Sequence, residues 1–139
     1  MLKRITVIAI LIALMVSALP TANVYAAKPT NTNLEKKWDQ LITNFNRQDL
    51  NHAKAHKWVE NWLMTDKKAP ASEKAEVARH LAVCNNAFLD AHAIVARHAG
   101  FNAKGEVIKP GLAMRSIKEL SNALRAHAAS VQKLQEHVQ

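Results

Sequence analysis

The sequence predicts an all-α protein, an up-down bundle of three long helices that follows an N-terminal signal peptide. Two observations support this fold class. Glycine and proline are missing from three long segments, 33–69, 71–99 and 112–139, and cluster in the connections between them. Within each segment a mostly apolar position recurs at alternating steps of three and four, the spacing of one face of a packed helix. Strands usually span about 3–10 residues, so these segments are too long for a sheet.

The recurring positions define one buried face for each predicted helix. In the first helix they are Leu34, Trp38, Leu41, Phe45, Gln48, His52, Ala55, Val59 and Trp62. In the second they are Val77, Leu81, Cys84, Phe88, Ala91, Val95 and His98. In the third they are Ile117, Leu120, Leu124, His127, Val131, Leu134 and Val138.

The first segment allows two interpretations. Its repeat keeps the same phase through residues 45–52, which favours one continuous helix over about residues 33–66. Asp49 could instead cap a separate helix, which would give a bundle of four. Continuity of phase makes the three-helix bundle the prediction.

Local signals place the remaining helix ends. Ser72 precedes two acidic residues and is predicted to cap the second helix, which Gly100 should end. Pro110 fits the first turn of the third helix. The connection from Gly100 to Lys109 is the longest, so we expect it to be the mobile or contacting part of the bundle.

The first 26 residues have the order of a secretory signal peptide. Lys3 and Arg4 form the charged start, residues 5–19 are largely apolar, and Ala26 ends the predicted cleavage site. As a helix the apolar run would be about 22 Å long, shorter than a bilayer core of about 30 Å. We therefore expect an exported periplasmic or secreted protein whose mature chain, 27–139, is a single helical-bundle domain without a transmembrane segment.

The charge of the mature chain predicts contact with anionic surfaces. Of 19 basic residues two lie in the signal peptide, so 17 remain against 11 acidic residues, a formal net charge of +6. The lysines are scattered over every segment, which is typical of a solvated surface and indicates no specific nucleic-acid site. The sequence also has no nucleophile elbow, phosphate-binding loop, H-E-x-x-H or C-x-x-C motif, so we expect a protein that is not an enzyme.

Histidine and the single cysteine offer one candidate metal site. His52 and His56 are four residues apart, so both rings can lie on one side of the first helix. In an up-down-up bundle the same register brings His56, Cys84 and His127 to one level, with His52 a turn away. A set of two histidines and one cysteine suits copper or zinc.

Haem is a related possibility for a helical bundle, held between histidine or methionine side chains. Met64 and Met114 are the methionines considered for this role, although either suits an ordinary core position. The sequence has no C-x-x-C-H motif for covalent attachment, so the prediction is limited to non-covalent haem.

Two tryptophans form a candidate partner-binding surface. Trp58 and Trp62 are four residues apart, and Lys54 and Lys57 flank Trp58. A partly exposed aromatic residue among basic neighbours is a plausible anchor for a protein partner, whereas full burial would make both tryptophans core residues.

Together these features predict an exported small helical-bundle protein that acts as a binding or structural component of the cell envelope. The expected partner is another envelope protein or an anionic envelope surface. The alternative is a small periplasmic protein that binds a transition metal or haem through its histidines.

Overall fold

The computed structural model describes residues 29–139, so the signal-peptide prediction lies outside the described residues. This part of the chain forms three α-helices: α1 (Asn31–Thr65), α2 (Ala71–Arg97) and α3 (Pro110–Val138). Trp62 near the end of α1, Val77 near the start of α2 and Leu134 near the end of α3 belong to one buried cluster. The helices therefore run up, down and up, and the predicted all-α bundle is confirmed for these residues.

α1 is one uninterrupted helix of 35 residues, about 52 Å long, so the four-helix alternative is not what forms. Thr30 caps α1, and its side-chain oxygen accepts a hydrogen bond from the backbone N–H of Asn33 at 3.2 Å. Asp49 lies exposed in the middle of α1 and caps nothing. Phe45, Gln48 and Ala55 stay on the same buried face, so the phase of α1 continues through the position at which a break was considered.

The structure corrects two predicted ends of α2. Ser72 is not the cap: α2 begins at Ala71 without a side-chain cap bond, and the carbonyl of Pro70 accepts backbone N–H groups from the first turn. Nor does Gly100 end the helix. His98 takes the left-handed cap conformation at φ 34°, and a 2.8 Å hydrogen bond joins its Nδ1 to the carbonyl of Phe101. Pro110 does occupy the first turn of α3, as predicted.

The connection between α2 and α3 is anchored on the protein's own helices. Phe101 is 2% exposed and stacks on Trp38 with ring centroids 4.5 Å apart. The N–H of Val107 donates to Glu35 Oε1 at 2.9 Å. Gly100, at φ +90°, lies so close to α3 that an added Cβ would overlap the backbone nitrogen of Ala113. The long connection was expected to be the mobile or contacting part of the bundle. In the structure it packs against α1 and α3 and closes that end of the bundle.

Two apolar clusters fill the core, one toward each end of the bundle. The cluster near the long connection comprises Leu34, Trp38, Phe45, Phe88, Ala91, Ile94, Phe101, Ala113, Leu120 and Leu124. The cluster near the opposite end comprises Ala55, Val59, Trp62, Val77, Cys84, Val131 and Leu134. Among residues 29–139, no helix combines the length and apolar character needed to cross a membrane.

Candidate metal centre

A layer of polar side chains separates the two apolar clusters at the middle of the bundle. Gln48 and His52 come from α1, Cys84 from α2, and His127 and Ser130 from α3. Cys84 and His127 are both fully buried, and Gln48 and Ser130 are nearly so. Every buried side-chain nitrogen and oxygen in the described part of the chain has a hydrogen-bond partner. The layer is therefore a fully hydrogen-bonded polar site within an apolar core.

Three ligand atoms converge inside this layer. His52 Nδ1 lies 3.1 Å from His127 Nε2 and 3.6 Å from Cys84 Sγ, and all three atoms lie within 4.8 Å of one another. Around an ion with ordinary bond lengths, two nitrogens would be about 3.3–3.5 Å apart, and a nitrogen and a sulfur about 3.6–3.7 Å apart, for four or three ligands respectively. The observed separations are close to those that a bound ion requires.

Gln48 fixes the orientation of the His127 ring. Its Oε1 atom lies 2.6 Å from His127 Nδ1 and accepts the proton there, which leaves Nε2 with its lone pair directed at the other two ligand atoms. Ser130 Oγ–H donates to the carbonyl of His127 at 2.8 Å. A histidine ligand held through its second nitrogen is the usual arrangement at metal sites.

His52 forms a direct hydrogen bond with His127. Since His127 Nε2 is an acceptor, His52 Nδ1–H donates to it. Ligation through Nδ1 requires that proton to move to Nε2 of the same ring, and His52 is only half-buried, so solvent can exchange it. Phe88 stacks on the ring at a centroid distance of 4.1 Å and keeps it in this plane.

Burial sets the protonation of all three groups. Burial, reinforced by the neighbouring His52, lowers the pKa of His127 to about 4. Burial is also the main cause that lowers the pKa of His52, with His56 adding to it. Burial raises the pKa of the Cys84 thiol, and a hydrogen bond with Ser130 opposes part of that change. At neutral pH the site therefore holds two neutral imidazoles and a protonated thiol.

His56 lies beside this group but does not join it. Its side chain is exposed, and its Nε2 atom lies 2.7 Å from Asn85 Oδ1, to which it donates. The ring centroids of His56 and His52 are 4.7 Å apart, and the ring planes are inclined by 61°. Of the four residues in the candidate site, the structure thus brings His52, Cys84 and His127 together and leaves His56 on the solvent side.

The two tryptophans of the candidate partner surface have different surroundings. Trp62 is 8% exposed and lies in the core cluster with Val59 and Val77. Trp58 packs against the edge of the same cluster and keeps part of its ring in solvent. Only Trp58 is accessible in the folded chain, so the partner-binding prediction stays with that residue.

The methionines considered for haem are far apart. Met64 lies in the last turn of α1 and Met114 in the first turns of α3, and these are opposite ends of the bundle. Their side chains are 57% and 47% exposed. They do not face each other across a common pocket, so a haem held between them has no support from this geometry.

Sequence reasoning did not assign the supporting residues of the site. Gln48 stood in the predicted buried face of α1, and a polar residue at a core position was the signal that it has a partner. Ser130 lies one residue before Val131 and outside the predicted repeat. Comparison with family models, with curated proteins and with solved structures finds no match to this chain.

Proposed function

We propose that this chain is a transition-metal-binding protein that holds one copper(I) ion between His52, Cys84 and His127. The observation that carries the proposal is the convergence of these three ligand atoms within 4.8 Å in the core. We assign a role in binding and not in catalysis, because Cys84 and His127 are fully buried between two apolar clusters and His52 is half-buried. Export, which the signal sequence predicts, would make this a metal-binding protein of the periplasm or the secreted fraction.

Charge favours copper(I) over zinc. A thiolate and a monovalent ion sum to zero, whereas a thiolate and Zn²⁺ leave one uncompensated positive charge in a buried site. Thiolate and imidazole ligands are both suited to copper(I), and structural zinc almost always takes four ligands. Here Gln48 Oε1 already accepts the His127 proton, so it does not serve as a fourth ligand.

The polar layer is costly to fold without a ligand. Burying a hydroxyl, an amide and two imidazoles offers less stabilisation than an apolar layer of the same shape, even when every group is hydrogen-bonded. A bound ion offsets this cost, since metal binding to a site present only in the folded state adds directly to folding stability.

The test is copper(I) binding to the purified mature chain under anaerobic conditions, measured against a chelator of known affinity. We expect one ion per chain, with loss of tight binding in Cys84→Ser, His127→Gln and His52→Ala. His56→Ala is the matched control, because it removes a neighbouring histidine outside the ligand group. A parent protein that takes up no copper, or a His56→Ala variant that alone loses it, would overturn the proposal.

Zinc and cobalt provide the discriminating comparison. If zinc binds with the same affinity as copper(I), the charge argument is wrong, although the three residues would still form a metal site. Cobalt(II), a spectroscopic substitute for zinc, reports whether sulfur binds the ion through a charge-transfer band in the near ultraviolet. That band should be missing in Cys84→Ser.

A second candidate function, an envelope-binding component, is favoured by a groove between α2 and α3. The groove has a volume of about 970 Å³, and alanines and four charged residues make up much of its lining. Exposed apolar side chains, Val83 and Leu112, lie along it. This surface would suit a helix of another envelope protein, with Trp58 as a separate anchor on α1.

Two exposed alanines of α3 form a matched pair for this second candidate. Ala126 lines the groove and Ala128 does not. Cross-linking to envelope extract should be lost with Ala126→Arg and retained with Ala128→Arg. Equal capture by both variants would remove the groove from consideration, and an effect of Trp58→Ala alone would move the contact to α1.

A further inference from the structure

A second group of ligand-bearing side chains lies at one end of the bundle, away from the buried layer. Glu76 and His80 are on α2, one turn apart on the same face, and His137 is in the last turn of α3. Their ligand atoms lie within 4.8 Å of one another. The group lies across two packed helices whose connection along the chain is at the other end of the bundle.

The geometry centres on one carboxylate oxygen. Glu76 Oε1 lies 3.7 Å from His80 Nε2 and 3.8 Å from His137 Nε2. The two imidazole rings are stacked, with centroids 5.4 Å apart and planes inclined by 29°. Both rings therefore direct Nε2 toward the Glu76 carboxylate.

These distances are slightly longer than those around a bound ion. Nitrogen and oxygen ligands of a tetrahedral ion are about 3.3 Å apart at ordinary bond lengths, so each ring would move by roughly 0.5 Å. The side chains of Glu76, His80 and His137 are 45%, 18% and 26% exposed, which leaves them free to make that change. Arg79, 3.6 Å from Glu76 Oε1, is exposed and can move away without a desolvation cost.

We infer that Glu76, His80 and His137 form a second metal site, open to solvent, that takes a divalent ion of the zinc or nickel class. Two imidazoles and a carboxylate suit such ions, and water would complete the coordination. The site differs in chemistry from the buried layer because it has no thiolate. The single carboxylate would compensate only one of the two positive charges of the ion. Because the site is open to water, the remaining charge would be solvated.

A bound ion would join the end of α3 to α2. His137 lies in the last turn of α3, and the ends of a helix readily fray. An ion held between the helices would keep this last turn formed and would raise the unfolding temperature of the whole bundle. The inference does not depend on copper binding at the buried site.

The experiment is a zinc titration of the Cys84→Ser variant, in which the buried site lacks its thiolate. Calorimetry should show one zinc ion per chain and a rise in the unfolding temperature. His80→Ala and His137→Ala should weaken zinc binding by roughly tenfold or more, equivalent to about 1.4 kcal/mol each. Glu136→Gln, added to Cys84→Ser, removes an adjacent acidic side chain outside the group. Its zinc affinity should equal that of Cys84→Ser alone.

Nickel(II) supplies an independent readout by NMR. The ring signals of His80 and His137 should broaden at lower nickel concentrations than those of the other histidines. The inference is wrong if Cys84→Ser binds no zinc, if His80→Ala retains the affinity, or if other histidine signals broaden first. Failure of copper binding in the parent would contradict the proposed function and leave this site unaffected.

Discussion

His52 Nδ1 and His127 Nε2 lie 3.1 Å apart across the contact between α1 and α3. The two histidines are separated by 75 positions in the chain and lie on different helices. Cys84 Sγ lies 3.6 Å from the same His52 nitrogen. This contact makes the middle of the bundle both its most polar interior region and its candidate metal site.

Acid should destabilise the metal-free protein through His127. Its pKa is lowered to about 4 in the folded chain, from an ordinary value of 6.5. The unfolded chain therefore takes up the proton first, so stability is full above pH 6.5 and falls as the pH drops towards 4. Between pH 7 and pH 5 the loss is roughly 2 kcal/mol, before the smaller contribution of His52 in the same direction. Urea unfolding at both pH values should show it.

The control for this pH prediction is His127→Gln, which removes the titrating group. Its free energy of unfolding should change less between the two pH values than that of the parent. Parallel profiles for the two proteins would show that His127 does not cause the loss.

Cys84 should react slowly with alkylating agents in the folded protein. Its side chain is fully buried and burial raises the pKa of the thiol, so neither access nor thiolate is available at neutral pH. Mass spectrometry after treatment with iodoacetamide should show little modification until urea is added. Rapid modification of the native chain would contradict the described burial.

Metal binding should release about one proton per copper(I) ion at pH 7.5. The imidazoles of His52 and His127 are already neutral there, and the thiol of Cys84 is the group that must ionise. Calorimetry in two buffers of different ionisation enthalpy gives the number directly. Residual binding to Cys84→Ser should release no proton, and release of two from the parent would show that a second group ionises.

Gln48→Leu should weaken copper binding by about 10–100-fold, because His127 Nδ1 loses the acceptor that orients its ring. The matched control is Gln40→Leu, an exposed position on the same helix. Chelator competition gives both affinities. Equal weakening in the two variants would indicate a general effect of leucine on α1 and not the loss of this hydrogen bond.

Phe101→Ala should lower the free energy of unfolding by about 3–5 kcal/mol, since the ring is buried and stacked on Trp38. Ile108→Ala lies in the same connection, but its side chain is 61% exposed, so its effect should be small. Thermal unfolding of the two variants tests whether this connection is a packed part of the core.

The helical pattern predicted the bundle because the spacing of apolar residues repeats with the period of a helix, and this spacing can be read from each segment by itself. Glycine and proline positions marked the segments, and the phase through residues 45–52 correctly favoured one long α1. The end of α2 was not predictable in the same way. There His98 adopts a positive φ that usually favours glycine. Its side chain bonds to the carbonyl of Phe101, and Phe101 is itself held by stacking on Trp38 of α1.

The candidate site was predictable only to within a helical turn. Counting residues from the bundle end brought His56, Cys84 and His127 to one level and placed His52 a turn away, whereas in the structure His52 is the residue that joins the other two. That difference depends on how α1 is rotated about its own axis, which the packing of Phe45, Ala55 and Val59 determines. The supporting hydrogen bond from His127 to Gln48 depends on the same rotation.

X-ray absorption of the copper-loaded mature chain tests the central claim most directly, because it reports the atoms bonded to the ion. The account predicts one sulfur and two imidazole nitrogens around copper(I), and loss of the sulfur signal in Cys84→Ser. A copper environment of nitrogen and oxygen alone in the parent protein would contradict it.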